Sequence, residues 1–111
     1  MTDTARGSTE GSTPLPDLIL YARDGCHLCD EARDLLALLL GERAEVGKAV
    51  PQLVERDIDT NDEWLRAFFG TIPVVELAGR RVELAVSAAR LRRLFSEVLD
   101  DETAETADAP V

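Results

Sequence analysis

Leu18-Ile19-Leu20-Tyr21-Ala22-Arg23-Asp24-Gly25-Cys26-His27-Leu28-Cys29-Asp30-Glu31-Ala32 is the stretch from which the rest of the chain can be read. Asp17 to Ala22 is short and apolar, bounded by Pro16 on one side and by Arg23-Asp24-Gly25 on the other, as a buried strand would be. From Cys26 the period changes. Leu28, Ala32, Leu35, Leu36 and Leu39 recur at helical spacing among Asp30, Glu31, Arg33 and Asp34, and the helix is expected to end near Gly41. The only two cysteines, Cys26 and Cys29, therefore stand where a strand gives way to a helix. A pair this close would constrain the unfolded chain very little, so it reads as chemistry or metal binding rather than as a structural staple.

Downstream, a loop with Gly47 and Pro51 leads to a weaker strand pattern over Leu53 to Ile58. Thr60-Asn61-Asp62-Glu63 has the reciprocal capping pattern of a hydroxyl followed three positions later by a carboxylate, opening a helix through Trp64, Leu65, Phe68 and Phe69 that Gly70 closes. Ile72 to Leu77 is β-rich, Ala78-Gly79 marks a turn, and Arg80 to Leu84 returns as a hairpin partner. Ser87 is placed to cap a last helix, whose Leu91, Leu94, Phe95, Val98 and Leu99 form one broad apolar stripe. The order β-α-β-α-β-β-α belongs to the α/β class. It allows a right-handed crossover between two parallel strands and a later antiparallel hairpin, giving a mixed four-stranded sheet with helices on both faces.

A chain of 111 residues with 45% hydrophobic side chains can build one core, so one domain is expected. Its formal charge of −10 argues against nucleic acid or an anionic membrane as partner, since a phosphate-rich surface is met by clustered Lys and Arg. Residues 1–16, rich in Thr, Ser, Gly and Pro, and the acidic residues 100–111 are read as disordered tails around a domain at 17–99. No apolar run approaches the roughly 20 residues that cross a bilayer, and the N-terminus lacks the pattern of a secretion signal. A soluble, cytoplasmic monomer is the expectation.

Tyr21-Ala22-Arg23-Asp24-Gly25-Cys26-His27-Leu28-Cys29, then Asp57-Ile58-Asp59, then Thr71-Ile72-Pro73-Val74-Val75 resembles the glutaredoxin-like branch of the thioredoxin superfamily, over roughly residues 17–99. The resemblance implies the thioredoxin fold and disulfide exchange. It also implies that Pro73 is a cis proline facing the dithiol and that Ile72, just before it, offers backbone hydrogen bonds to an extended substrate, with Thr71 completing the substrate-binding loop. The chain departs from the pattern at His27-Leu28, where glutaredoxins carry proline and tyrosine. It departs again at Leu84-Ala85-Val86-Ser87, where they have a Gly-Gly turn that binds a glutathione carboxylate. These departures argue against a bound glutathione, although glutathione stays open as a redox partner. The tryptophan and Cys-Gly-Pro-Cys of thioredoxins are missing too.

The position of each residue supplies its expected role. A cysteine at a helix N-terminus gains from unpaired N–H groups and the positive dipole end, which makes Cys26 the nucleophile. Cys29, one turn inward, is the resolving thiol, and a protonated His27 would tune the neighbouring sulfur. Arg23 acts in the same sense, against Asp24, Asp30 and Glu31. Trp64, Phe68 and Phe69 read as core or groove wall, and Arg90, Arg92 and Arg93 as a solvated face. No bound organic cofactor is expected, and the partner would be a disulfide-containing protein or a low-molecular-weight thiol. Two other classes fit the same cysteines: zinc or iron-sulfur handling, which needs ligands beyond one Cys-x-x-Cys, and a binding module whose dithiol does not turn over.

Overall fold

The computed structural model describes residues 15–100. Among them the chain forms β1 (Leu18–Ala22), α1 (His27–Glu45), β2 (Leu53–Asp57), a 3-10 turn (Ile58–Thr60), α2 (Asp62–Phe68), β3 (Val74–Leu77), β4 (Arg80–Val82) and α3 (Ala88–Leu99). The strands lie in the order β2-β1-β3-β4, so the expected α/β architecture with a mixed four-stranded sheet is the one observed. β1 pairs parallel to β2, with Leu18 beside Leu53 and Ala22 beside Asp57. It pairs antiparallel to β3, with Leu18 beside Leu77 and Tyr21 beside Val74. β4 then folds back on β3 through the two-residue turn Ala78-Gly79, in which both φ angles are positive, at 52° and 81°.

The alternation of side chains along β1 sorts the core into two layers. Leu18, Leu20 and Ala22, with Val75 and Leu77 of β3, face Ala32, Leu36 and Leu39 of α1 and Leu91, Leu94 and Phe95 of α3. Tyr21 and Val74 face the opposite way and pack with Ile58 and Phe68, beside half-buried Trp64 and Leu65 of α2. Helices thus cover both faces, but α2 is short and covers only the end of the sheet where β1 and β2 finish. Among the described residues no helix is long and apolar enough to cross a membrane.

Three local expectations change. Helix α1 does not stop at Gly41 but runs on to Glu45 and closes at Val46 and Gly47, where the Gly47 N–H bonds the Ala44 carbonyl at 3.2 Å and the Lys48 N–H that of Arg43 at 2.9 Å. This is a Schellman motif, and Gly47, at φ 77°, is the glycine that ends the helix. The extra turn is kept because Arg43 is needed inside the fold. Thr60 is not the cap of α2: its hydroxyl donates to the Asp57 carbonyl at 2.7 Å within the 3-10 turn, and the Asn61 side chain instead accepts from the N–H groups of Glu63 and Trp64 at 2.9 and 3.1 Å. Leu28, expected on the buried stripe of α1, is exposed, and Cys29 takes the inward place at the head of Ala32, Leu36 and Leu39.

Two arginines of α1 tie it to the rest of the domain. Arg33 donates through Nε to Glu55 on β2 at 2.9 Å and through Nη1 to Asp30 at 2.7 Å, and these carboxylates hold its guanidinium charged beyond its ordinary range. Arg43 is 7% exposed, donates through Nε to the Ala49 carbonyl at 2.6 Å and reaches Asp100 through both terminal nitrogens, at 2.7 and 3.4 Å. Asp100, grouped with the acidic tail in the sequence reading, also ends α3, its N–H bonding the Ser96 carbonyl at 3.1 Å. The rest of the two expected tails, residues 1–14 and 101–111, lies outside the described residues. Hydrogen bonding from Arg43 holds the Asp100 carboxyl below the usual carboxylate range, with burial opposing.

Gly41 is helical and a Cβ there would meet nothing within 4 Å, so Gly41→Ala should stabilise the domain by about 0.5–1 kcal/mol in urea denaturation. Gly47→Ala, which must adopt a left-handed conformation, should destabilise it by about 1 kcal/mol in the same measurement. Because its folded pKa is depressed, the stability due to Asp100 is fully present above pH ~4, the unfolded value, and is lost as pH falls through the lower folded value. Asp100→Asn should therefore cost about 2 kcal/mol at pH 7, with the gap from wild type closing as urea midpoints are followed from pH 5 down to about pH 2.

Candidate active site

Strand β1 ends at Ala22, and Arg23-Asp24-Gly25 turns the chain into α1, with Gly25 at φ 77°. Cys26 is the N-cap residue of α1, extended at φ −96° and ψ 107°, and its Sγ accepts the backbone N–H of Cys29 at 3.1 Å. It is half-buried and rests on the main core, whereas Cys29 is fully buried. The two sulfurs are joined in a disulfide, with the Cα atoms 5.1 Å apart. An N-cap sulfur with that bond is well placed to carry negative charge, because a thiolate accepts an N–H more strongly than a thiol does and the helix dipole acts in the same direction.

The β1–β3 register brings a second segment to the same edge of the sheet. Extending it one step past Tyr21 and Val74 sets Pro73 opposite Ala22, four residues before Cys26, and the Ile72–Pro73 peptide bond is cis. The Thr71 and Pro73 carbonyls accept from the N–H groups of Leu84 and Ala85, at 3.0 and 2.9 Å. β3 starts only at Val74, because Ile72 donates its N–H to the Phe68 carbonyl at 3.1 Å instead of joining the ladder. Of the two backbone groups expected to meet a substrate at Ile72, the carbonyl is the one without a partner among the described residues.

These placements agree with what comparison finds: the glutaredoxin-like domain family (DUF836) matches residues 17–101, most of the chain. The chain belongs to that family. This glutaredoxin-like domain is similar in structure to target protein XcR50 from X. campestris. The X-ray structure of XcR50 is 30% identical and superposes at a TM-score of 0.58 over 72% of this chain and 96% of that one. The solution structure of XcR50 is 32% identical, at 0.54 over 73% and 94%. Trxlp from Edwardsiella tarda EIB202, at 20% identity and a TM-score of 0.53 over 85% of this chain and 93% of its own, shares the fold. No curated protein matches the chain.

Around the dithiol of this glutaredoxin-like domain, every expected positive group already faces a carboxylate. The Arg23 guanidinium lies 2.9 Å from Asp59, and His27, on an exposed side chain, sits 3.2 Å from Glu31 one turn along α1. The aromatic residues form a wall beneath the loop: the ring centroid of Tyr21 is 4.4 Å from that of Phe68 and 5.8 Å from that of Trp64, while Phe69 is exposed. Arg56 lies over Trp64 and donates to the Tyr21 hydroxyl at 3.2 Å. On α3, Arg92 is not simply solvated but pairs with Glu42 of α1 at 3.0 Å. Among the described residues no group of three or more His, Cys, Asp or Glu side chains is arranged to hold a metal ion.

Sequence reasoning missed the part played by Leu84 and Ala85. Leu84 adopts φ 48°, the left-handed region a glycine would occupy without strain, and its N–H holds Thr71 in place. The only local signal was the absence of the Gly-Gly turn. The bond to Thr71 spans a hairpin and has no trace in the residues around it. Asp59 as the partner of Arg23 was hidden in the same way.

Proposed function

We propose that this domain is a small dithiol–disulfide oxidoreductase of the cytoplasm, acting through Cys26 and Cys29 without a bound organic cofactor. The observation that carries the reading is the N-cap placement of Cys26, its sulfur accepting the Cys29 N–H, with the second sulfur buried directly behind it. In the reduced protein, the Cys26 thiolate attacks one sulfur of a substrate disulfide. A Cys26–substrate mixed disulfide forms and the first substrate thiolate leaves. Cys29 then gives up its proton and attacks the Cys26 sulfur, forming the Cys26–Cys29 bond and releasing the second substrate thiol. The substrate has gained two electrons and the protein has lost them, and a dithiol reductant restores the reduced state.

The Thr71-Ile72-Pro73 loop supports docking of an extended substrate backbone at the Ile72 carbonyl. His27 has a minor tuning role at most, since its exposed side chain faces Glu31.

Reduced Cys29→Ser protein incubated with hydroxyethyl disulfide should stop at a stable adduct of one mercaptoethanol per chain on Cys26, seen as a single mass shift. Cys26→Ser, which keeps only the buried thiol, should give no adduct and reduce insulin no faster than buffer. Full reductase activity in Cys26→Ser would sink the assignment.

A further inference from the structure

Charge in this domain is sharply polarised about the dithiol. Residues 15–100 carry sixteen carboxylates and eleven lysine or arginine side chains, a net of −5 with His27 neutral. Two segments frame the cysteines. Residues 23–31 bear Asp24, Asp30 and Glu31. Residues 57–63, brought alongside by the pairing of Asp57 with Ala22 and by the Arg23–Asp59 ion pair, bear Asp57, Asp59, Asp62 and Glu63. Arg23 is the only cation in either segment, so together they hold a net −6, and the remainder of the described domain is +1. The whole negative excess therefore lies at the end where the substrate sulfur must arrive. Arg80, Arg81, Arg90 and Arg93 gather on β4 and α3, where Arg81 pairs with Glu76 and lies over Phe68 and Arg90 donates to the Glu83 carbonyl.

Three cations in or beside the framing segments are already engaged. Arg23 is held by Asp59 and Arg33 by Glu55 and Asp30. Arg56 is engaged with the rings of Trp64 and Tyr21. Glutathione disulfide, which carries a net negative charge, would meet repulsion from the rim, with Arg23, Arg33 and Arg56 already engaged. Leu28, Phe69 and Leu84 are exposed, the last two flanking the Ile72–Pro73 loop, and they offer apolar contact to neighbouring residues of a longer chain.

From this asymmetry we infer that the partner of the dithiol is a polypeptide whose disulfide is flanked by lysine or arginine, drawn in by the acidic rim and selected against glutathione disulfide. The inference deepens the proposed function and rests on it. Fields of this kind raise encounter rates by roughly 10- to 1,000-fold and are screened once the Debye length falls below about 10 Å.

The test uses three disulfide-linked peptide dimers of about nine residues that differ only in the residues next to cysteine: lysine, glutamine or glutamate. Oxidation of the reduced, full-length protein is followed by stopped-flow Trp64 fluorescence from about 10 mM to about 300 mM salt. The lysine peptide should slow about tenfold across that range, the glutamate peptide should accelerate, and the glutamine peptide should hold steady. In Asp24→Asn/Glu63→Gln both slopes should shrink. In Asp17→Asn/Glu45→Gln, which removes the same charge from the far ends of β1 and α1, they should not change. Equal salt dependence for all three peptides, or slopes that ignore the rim variant, would overturn the inference while leaving the dithiol chemistry intact. Failure of every peptide to oxidise the protein would remove the proposed function and this inference together.

Discussion

Strand β1 is hydrogen-bonded along both edges, to β2 on one side and β3 on the other, and its side chains enter both core layers. That double burial fixes its register, because a slip of one residue would exchange Leu18, Leu20 and Ala22 for Ile19 and Tyr21 and empty both layers at once. Two otherwise unrelated segments are aligned by it. The end of β1 delivers Cys26 to the head of α1, and the antiparallel neighbour brings Ile72-Pro73 to the same edge. The proximity of dithiol and loop is a consequence of sheet register, not of any contact the loop itself could specify.

At Cys26 the local and the surrounding electrostatics work against each other. The helix N-terminus and the Cys29 N–H favour a sulfur anion, while seven carboxylates in the two framing segments oppose it. A short-range hydrogen bond acts on one sulfur and changes little with salt, whereas the field of the rim reaches out to an approaching partner and is screened. The first bears on reactivity and the second on who arrives. A domain can therefore keep the chemistry of its fold while changing partner through surface charge alone.

The elements themselves were legible: β1 was marked by a short apolar run between turn residues, α1 by apolar residues at helical spacing, α3 by its broad apolar stripe, and the Ala78-Gly79 turn by the glycine it needs. The errors share one cause. Gly41 looked like a stop because glycine weakens a helix, but Arg43 beyond it is buried against Asp100, and that tertiary bond holds the last turn. Thr60 and Asn61 were both credible caps, and the choice fell to Asn61 when the 3-10 turn claimed the threonine hydroxyl. Leu28 had a credible spacing, but the inward face of the first turn is taken by Cys29, in line with Ala32, Leu36 and Leu39, which leaves Leu28 exposed.

The amino-acid order alone was enough to place two sulfurs one helical turn apart at a helix N-terminus, since strand, turn and helix there are written in neighbouring residues and need no distant partner. Long-range pairing supplied everything else about the site. The union of Arg23 with Asp59, the Leu84 N–H on Thr71, and the gathering of acids from two separate segments into one rim all join residues far apart in the chain. Such contacts arise from sheet register and loop closure, which no local pattern of residues encodes.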